Sequence, residues 1–120
     1  MSANPKDNQI DYVEFSADSA VAFQASKKFY AEVFGWSFKD WGEDYADTQS
    51  SGIASGISLN PTHRTGASLV VIFATDLEAA KARVIKAGGL IVKDIFSFPG
   101  GRRFQYIDPA GNELAVWSDK

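Results

Sequence analysis

The stretch Ser68–Gly89, SLVVIFATDLEAAKARVIKAGG, holds a strand, a turn and a helix in twenty-two residues. Leu69 to Phe73 is an unbroken apolar run, short enough for a strand buried on both faces. Thr75-Asp76-Leu77-Glu78 then carries the spacing of a capping box, with the Thr75 hydroxyl serving the N–H of Glu78 and the Glu78 carboxylate reaching back to Thr75. The predicted helix, 76–87, buries Leu77, Ala80, Val84 and Ile85 and leaves Glu78, Lys81 and Lys86 to water. Gly88-Gly89 stops it, because glycine tolerates the left-handed backbone of a helix end. "LIVKDIF", "RRFQYID" and "ELAVWS" supply three more strands.

The same order stands once before. "IDYVEFSA" (10–17) alternates, with Tyr12 and Glu14 on one side and Val13 and Phe15 on the other. From Ser19 to Phe34, Ala22, Ala25, Phe29 and Val33 recur at helical spacing, and Gly35 sits at the stop. "WSFKDWG", "DYADTQ" and "GIASGISLN" read as three short strands, and "PTHRTG" (61–66) as a loop. Strand, helix and three strands therefore occur twice. The corresponding positions Tyr12 and Leu69 are 57 residues apart (69 − 12). The repeat lies in the order of elements, not in residue identity.

Bulk properties narrow the class. The 120 residues are the size of one domain, and 45% are apolar, enough for a core. The net charge is −3, with 12 Lys and Arg scattered among 15 acids, which argues against a nucleic-acid partner. There is no Cys, so no disulfide framework and no thiolate chemistry. The start, "MSANPKDN", is polar, and no apolar run of membrane length occurs. A soluble cytoplasmic domain without a membrane partner is the expectation, with residues 1–8 as a flexible tail and 9–118 as one folded domain.

The last strand follows Asp108-Pro109-Ala110-Gly111, a type I turn in which Pro presets φ, Asp accepts a local N–H and Gly closes the fourth position. "FYAEVFGW" at the end of the first helix, "ATDLEAAKARVIKAGG" after the fifth strand and "DPAGNELAVW" at the close together resemble the glyoxalase / bleomycin resistance protein / ring-cleaving dioxygenase superfamily, the vicinal oxygen chelate fold. The resemblance covers about residues 9–118. It implies an α+β fold of two tandem βαβββ modules, about 9–60 and 67–118, whose curled mixed sheets surround a cleft often completed in a homodimer.

Members that are enzymes hold a divalent metal on the first strand of each module and on the last strand. Those positions fall here on Tyr12, Leu69 and Ala115, and the fourth strand (49–60) offers neither a carboxylate nor a His. A hard divalent ion needs several oxygen or imidazole donors. Leu and Ala provide none, and a neutral phenol is a poor substitute. The single His, His63, lies in a loop without partners nearby in sequence. The expectation is no metal at the family position and no cofactor.

Strand alternation from those positions gives the candidate ligand-binding set: Tyr12 and Glu14 on the first strand, Val71 and Phe73 on the fifth, Glu113 and Trp117 on the last, and Arg103 after the Pro99-Gly100-Gly101 turn. Arg102 and Arg103 are both candidates to meet an anionic group. Apolar walls with few polar groups suit a small organic ligand. Gln105 and Tyr106 alternate on the seventh strand, and either can point inward. Three readings stay open. The first is a binder of a small organic molecule in a metal-free cleft. The second is a lyase, isomerase or dioxygenase using Glu14, Glu113 or a non-standard metal site. The third is a structural or regulatory module whose cleft is filled by its own side chains.

Overall fold

The computed structural model describes residues 1–60 and 65–120; the expected loop residue His63 lies outside the described residues. The elements run β1 (Gln9–Ser16), α1 (Ala20–Phe34), β2 (Lys39–Asp40), β3 (Tyr45–Thr48), β4 (Ala54–Ser58), β5 (Leu69–Phe73), α2 (Leu77–Lys86), β6 (Leu90–Phe98), β7 (Gly101–Ile107) and β8 (Glu113–Ser118). The fold is α+β, and βαβββ occurs twice. Two compact units divide the chain: Tyr12–Leu69 with Met1–Ser2, and Val70–Lys120 with Ala3–Asp11. No helix among the described residues is long and apolar enough to cross a membrane.

In the first unit the strand order is β2-β3-β4-β1. β1 and β4 run parallel, and the other neighbours run antiparallel. A parallel pair needs a long crossover connection, and here α1 and the β2–β3 hairpin make it. Ser19 caps α1, its hydroxyl accepting from the N–H of Ala22 at 3.1 Å. Gly35 ends it in the left-handed region at φ 73°, where a side chain would be strained. One face of the sheet packs on this helix through Phe23, Ala17, Ala46 and Ile57, with Phe15 and Tyr30 beside them.

The inward face of α1 is only in part the expected one: of Ala22, Ala25, Phe29 and Val33, Ala22 alone packs against the core. Phe23 is buried, whereas Ala25, Phe29 and Val33 are exposed, Phe29 at 54%. The helix carries two apolar stripes of similar strength, and periodicity alone does not choose between them. Aromatic packing chooses. Tyr30 stacks on Phe15 at 5.7 Å and on Trp36 at 4.9 Å, which turns the Phe23 and Tyr30 side inward.

In the second unit the order is β5-β8-β7-β6, with β5 and β8 parallel and the rest antiparallel. α2 packs on one sheet face through Leu77, Ala80, Phe104 and Val116, with Ile72, Val84 and Tyr106 alongside. Ile85, expected inward, is exposed. On β5, Leu69, Val71 and Phe73 are fully buried while Val70 and Ile72 on the helix side are half-buried.

The capping box does not form. Asp76 is the N-cap, its carboxylate accepting from the Ala79 N–H at 3.0 Å. The Thr75 N–H instead donates to Asp7 Oδ1 at 2.8 Å, and the Glu78 carboxylate is taken by Arg102 at 2.5 Å. Asp caps a helix at least as well as Thr, so a shift of one residue costs little and frees both former partners for longer-range contacts. The closing turn does form: the Gly111 N–H donates to Asp108 O at 3.0 Å, and Asp108 Oδ1 accepts from the N–H groups of Ala110 and Asn112 at 2.9 Å each.

Candidate functional site

The strands of each unit have one face under that unit's helix and one free of it, and the polar residues of interest lie on the helix-free faces. In the first unit the register pairs Tyr12 with Ala54, Glu14 with Gly56, Gly56 with Asp47 and Ser58 with Tyr45. Directly paired residues share a face. Tyr12, Glu14, Tyr45 and Gly56 are therefore neighbours on the side opposite Phe15 and Ile57.

Their side chains form a short relay. The Tyr45 hydroxyl donates to Glu14 Oε2 at 3.1 Å and lies 2.8 Å from the Tyr12 hydroxyl. A phenol has one proton. With that of Tyr45 committed to Glu14, Tyr12 donates to Tyr45, and the order is Tyr12 to Tyr45 to Glu14. Burial, then the charge of Glu14, holds the Tyr45 phenol well above the ordinary phenol range, so it stays a donor at neutral pH. Tyr12 is 1% exposed and Glu14 is 4% exposed, whereas Tyr45 keeps partial contact with solvent. Gly56 makes the arrangement possible: a Cβ at that position would overlap the Tyr12 hydroxyl and lie 2.6 Å from that of Tyr45.

In the second unit, Val71, Phe73, Arg103, Gln105, Glu113, Ala115 and Trp117 share the helix-free face through the pairs Val71–Ala115, Phe73–Trp117, Arg103–Trp117 and Gln105–Ala115. The aromatic members pack on each other: the Phe73 and Trp117 rings meet edge to face at 5.0 Å. The Trp117 indole N–H donates to Asp11 Oδ2 at 3.0 Å, a buried pair 106 residues apart. Arg103 is buried with its guanidinium 5.2 Å above the Phe96 ring. Glu113 is half-buried and accepts from Gln105 Nε2 at 2.8 Å. The other amide atom, Gln105 Oε1, is buried with no hydrogen-bond partner among the described residues.

Of the seven expected residues, Tyr12 and Glu14 come together in the first unit, and Val71, Phe73, Arg103, Glu113 and Trp117 in the second. Arg102 does not join them. It points to the helix side, on Glu78. Of the seventh-strand pair, Tyr106 packs toward α2 and Gln105 toward the helix-free face. Tyr45 and Gly56 escape the sequence reading, which leaves the facing of Gln105 open. The alternation of "DYADT" carries Tyr45 and Asp47 on one side of β3, but only the register with β4 shows which side that is.

The three family metal positions do not fit a divalent ion. Leu69 and Ala115 have no donor atom, and the Tyr12 hydroxyl is engaged with Tyr45. Among the described residues no three His, Cys, Asp or Glu side chains are grouped to hold one.

Solved structures share this fold. A structure of NAD-dependent benzaldehyde dehydrogenase from Legionella pneumophila aligns with TM-score 0.72 at 12% identity, covering 91% of this chain and 98% of that one. The Mn(II)-bound glyoxalase from Novosphingobium aromaticivorans aligns at 0.66 and 23% identity, over 93% of this chain and 39% of that one. Methylmalonyl-CoA epimerase from Mycobacterium tuberculosis aligns at 0.65 and 13% identity, over 98% and 92%. Among curated proteins none matches the chain in sequence. The likeness to the solved structures is one of fold; membership rests on the sequence, where the family model described as Glyoxalase/Bleomycin resistance protein/Dioxygenase superfamily matches residues 20–116. With that match over most of its length, the chain belongs to the Glyoxalase/Bleomycin resistance protein/Dioxygenase superfamily.

Proposed function

We propose that this protein binds a small organic molecule, without a metal, on the helix-free face of the first unit, with Glu14 as the group that orients it. The observation that carries this reading is a carboxylate buried to 4% on a strand face and held by a phenol. Burying a carboxylate costs several kcal/mol unless hydrogen bonds compensate. A fixed acceptor in such surroundings favours a ligand with an N–H, O–H or cationic group, approaching past the partly exposed Tyr45. The helix-free face of the second unit, with Val71, Phe73, Arg103, Glu113 and Trp117, is the second candidate surface.

The test is a thermal-shift screen of bleomycin, other antibiotics and aromatic metabolites, run in a chelator and again with Mn²⁺, Zn²⁺ and Ni²⁺. A ligand at one hundred times its Kd stabilises by about 2.7 kcal/mol. The reading expects at least one compound to raise the midpoint equally in the chelator and in metal. A shift that requires metal contradicts it, and no shift with any compound favours side chains that fill the face themselves.

A second reading, a lyase or isomerase that moves a proton, draws on the same carboxylate. Glu14, fixed in place by the Tyr45 hydroxyl, is a carboxylate of the type that serves as a general base. Turnover of a bound compound that is lost in Glu14→Gln supports this reading over sequestration.

We further propose a cytoplasmic homodimer. The support for pairing is the exposed apolar stripe of α1, which carries Val21, Phe29 and Val33. Light scattering tests it, and a monomer at micromolar concentration contradicts it.

A further inference from the structure

The helix-covered side of the first unit holds a cavity that the ligand reading above does not use. It has a volume of about 240 Å³ and lies between α1, the end of β1 and the segment leading into β5. Its lining includes the hydroxyl-bearing residues Ser16, Ser26, Tyr30 and Ser68, set against Phe15 and Ile57.

The roles of these hydroxyls differ. Ser16 is structural: its Oγ donates to Ala67 O at 3.3 Å and accepts from the Gly66 N–H at 3.1 Å, which fixes the wall facing α1. Both faces of the Tyr30 ring are covered, by Phe15 and by Trp36, so the ring offers the cavity its edge and its hydroxyl. Ser26 and Tyr30 are four residues apart on α1 and therefore lie on one face of it. No hydrogen bond within the described residues engages the hydroxyls of Ser26, Tyr30 or Ser68. No Asp, Glu, Lys or Arg of the described residues lines the space.

We propose that this cavity binds a single uncharged, polyhydroxylated ring of monosaccharide size. Each protein hydroxyl donates one hydrogen bond and accepts others, so three of them with no fixed partner among the described residues match a ligand whose own groups do both. A charged ligand would lose its hydration with no counter-charge among the described residues to meet it. Size sets the upper limit. The space equals about eight water volumes, below the range of drug-sized pockets, so one ring fits and two do not.

Saturation-transfer NMR with myo-inositol and D-glucose, and benzoate at equal concentration as the charged control, tests this. Both neutral probes should receive saturation and benzoate should not. Tyr30→Phe keeps the stacked ring and removes only the hydroxyl; it should weaken binding of myo-inositol about fivefold to tenfold, as should Ser26→Ala. Ser26→Leu should abolish binding by filling the space, with circular dichroism showing the fold retained. Should that variant fail to fold, Tyr30→Phe decides alone. The proposal is overturned if neither neutral probe binds, if benzoate binds as well, or if binding is the same in Tyr30→Phe.

Discussion

The Tyr45 hydroxyl donates to Glu14 Oε2 at 3.1 Å, and its own oxygen lies 2.8 Å from the hydroxyl of Tyr12. Two phenols and one carboxylate from β1 and β3 thus share a single directed chain. The bond at its end reaches a charged acceptor and the other does not. Hydrogen bonds to charged groups contribute about 1.5–3 kcal/mol, and neutral ones about 0.5–1.5 kcal/mol. Tyr45→Phe should therefore destabilise the protein more than Tyr12→Phe in urea unfolding. Equal or reversed costs would show that the Tyr45 hydroxyl does not join Tyr12 to Glu14.

Gly56 is the second point of leverage. A methyl at this position overlaps the Tyr12 hydroxyl and crowds that of Tyr45. The backbone there is ordinary, so strain in φ plays no part. Gly56→Ala should cost about 1–3 kcal/mol through overpacking. The double variant with Tyr12→Phe, which removes the atom in the way, should recover part of that loss. Additive costs in the double-variant cycle would mean the two positions do not interact.

Alkaline pH should expose the same group. The folded-state pKa of Tyr45 is raised, by burial first and then by Glu14, above the value of about 10 that a free phenol has. A group raised on folding contributes stability that is complete below its unfolded pKa and is lost as pH rises through its folded pKa. The thermal midpoint should hold up to about pH 10 and fall beyond it. Tyr106 is raised as well, by burial and then by Asp108, so Tyr45→Phe should reduce the alkaline slope without removing it. An identical slope in that variant would place Tyr45 in solvent.

In the second unit the long-range bond from Trp117 to Asp11 is buried at both ends. Asp11→Ala leaves the indole N–H unsatisfied and should cost about 1–3 kcal/mol. Trp117→Phe in the Asp11→Ala background should then cost less than Trp117→Phe alone. Calorimetric midpoints of the four proteins check the coupling.

The architecture was legible because it rests on local signals. The apolar run of β5, the glycines that end both helices and the Asp-Pro turn each specify their element over a few residues, and their order repeats. Facing was legible only in part. Alternation placed Tyr12 with Glu14, and Glu113 with Trp117, because a strand fixes that geometry within itself. The helices were harder: α1 has two apolar stripes, and the stacking of Tyr30 between Phe15 and Trp36, not periodicity, turns Phe23 inward. The cap of α2 moved from Thr75 to Asp76 because Asp7 and Arg102, distant in sequence, take the expected partners. Tyr45 and Gln105 needed cross-strand register, which no single segment contains.

The most direct test of the metal-free ligand reading is titration calorimetry, in a chelator, of the strongest compound from the thermal-shift screen against the native protein and Glu14→Gln. The amide keeps the size of the side chain and removes its charge. The account predicts binding to the native protein in the chelator and at least tenfold weaker binding to Glu14→Gln, the effect of losing about 1.4 kcal/mol. Equal affinity for the two proteins, or binding to the native one only after a divalent ion is restored, would contradict it.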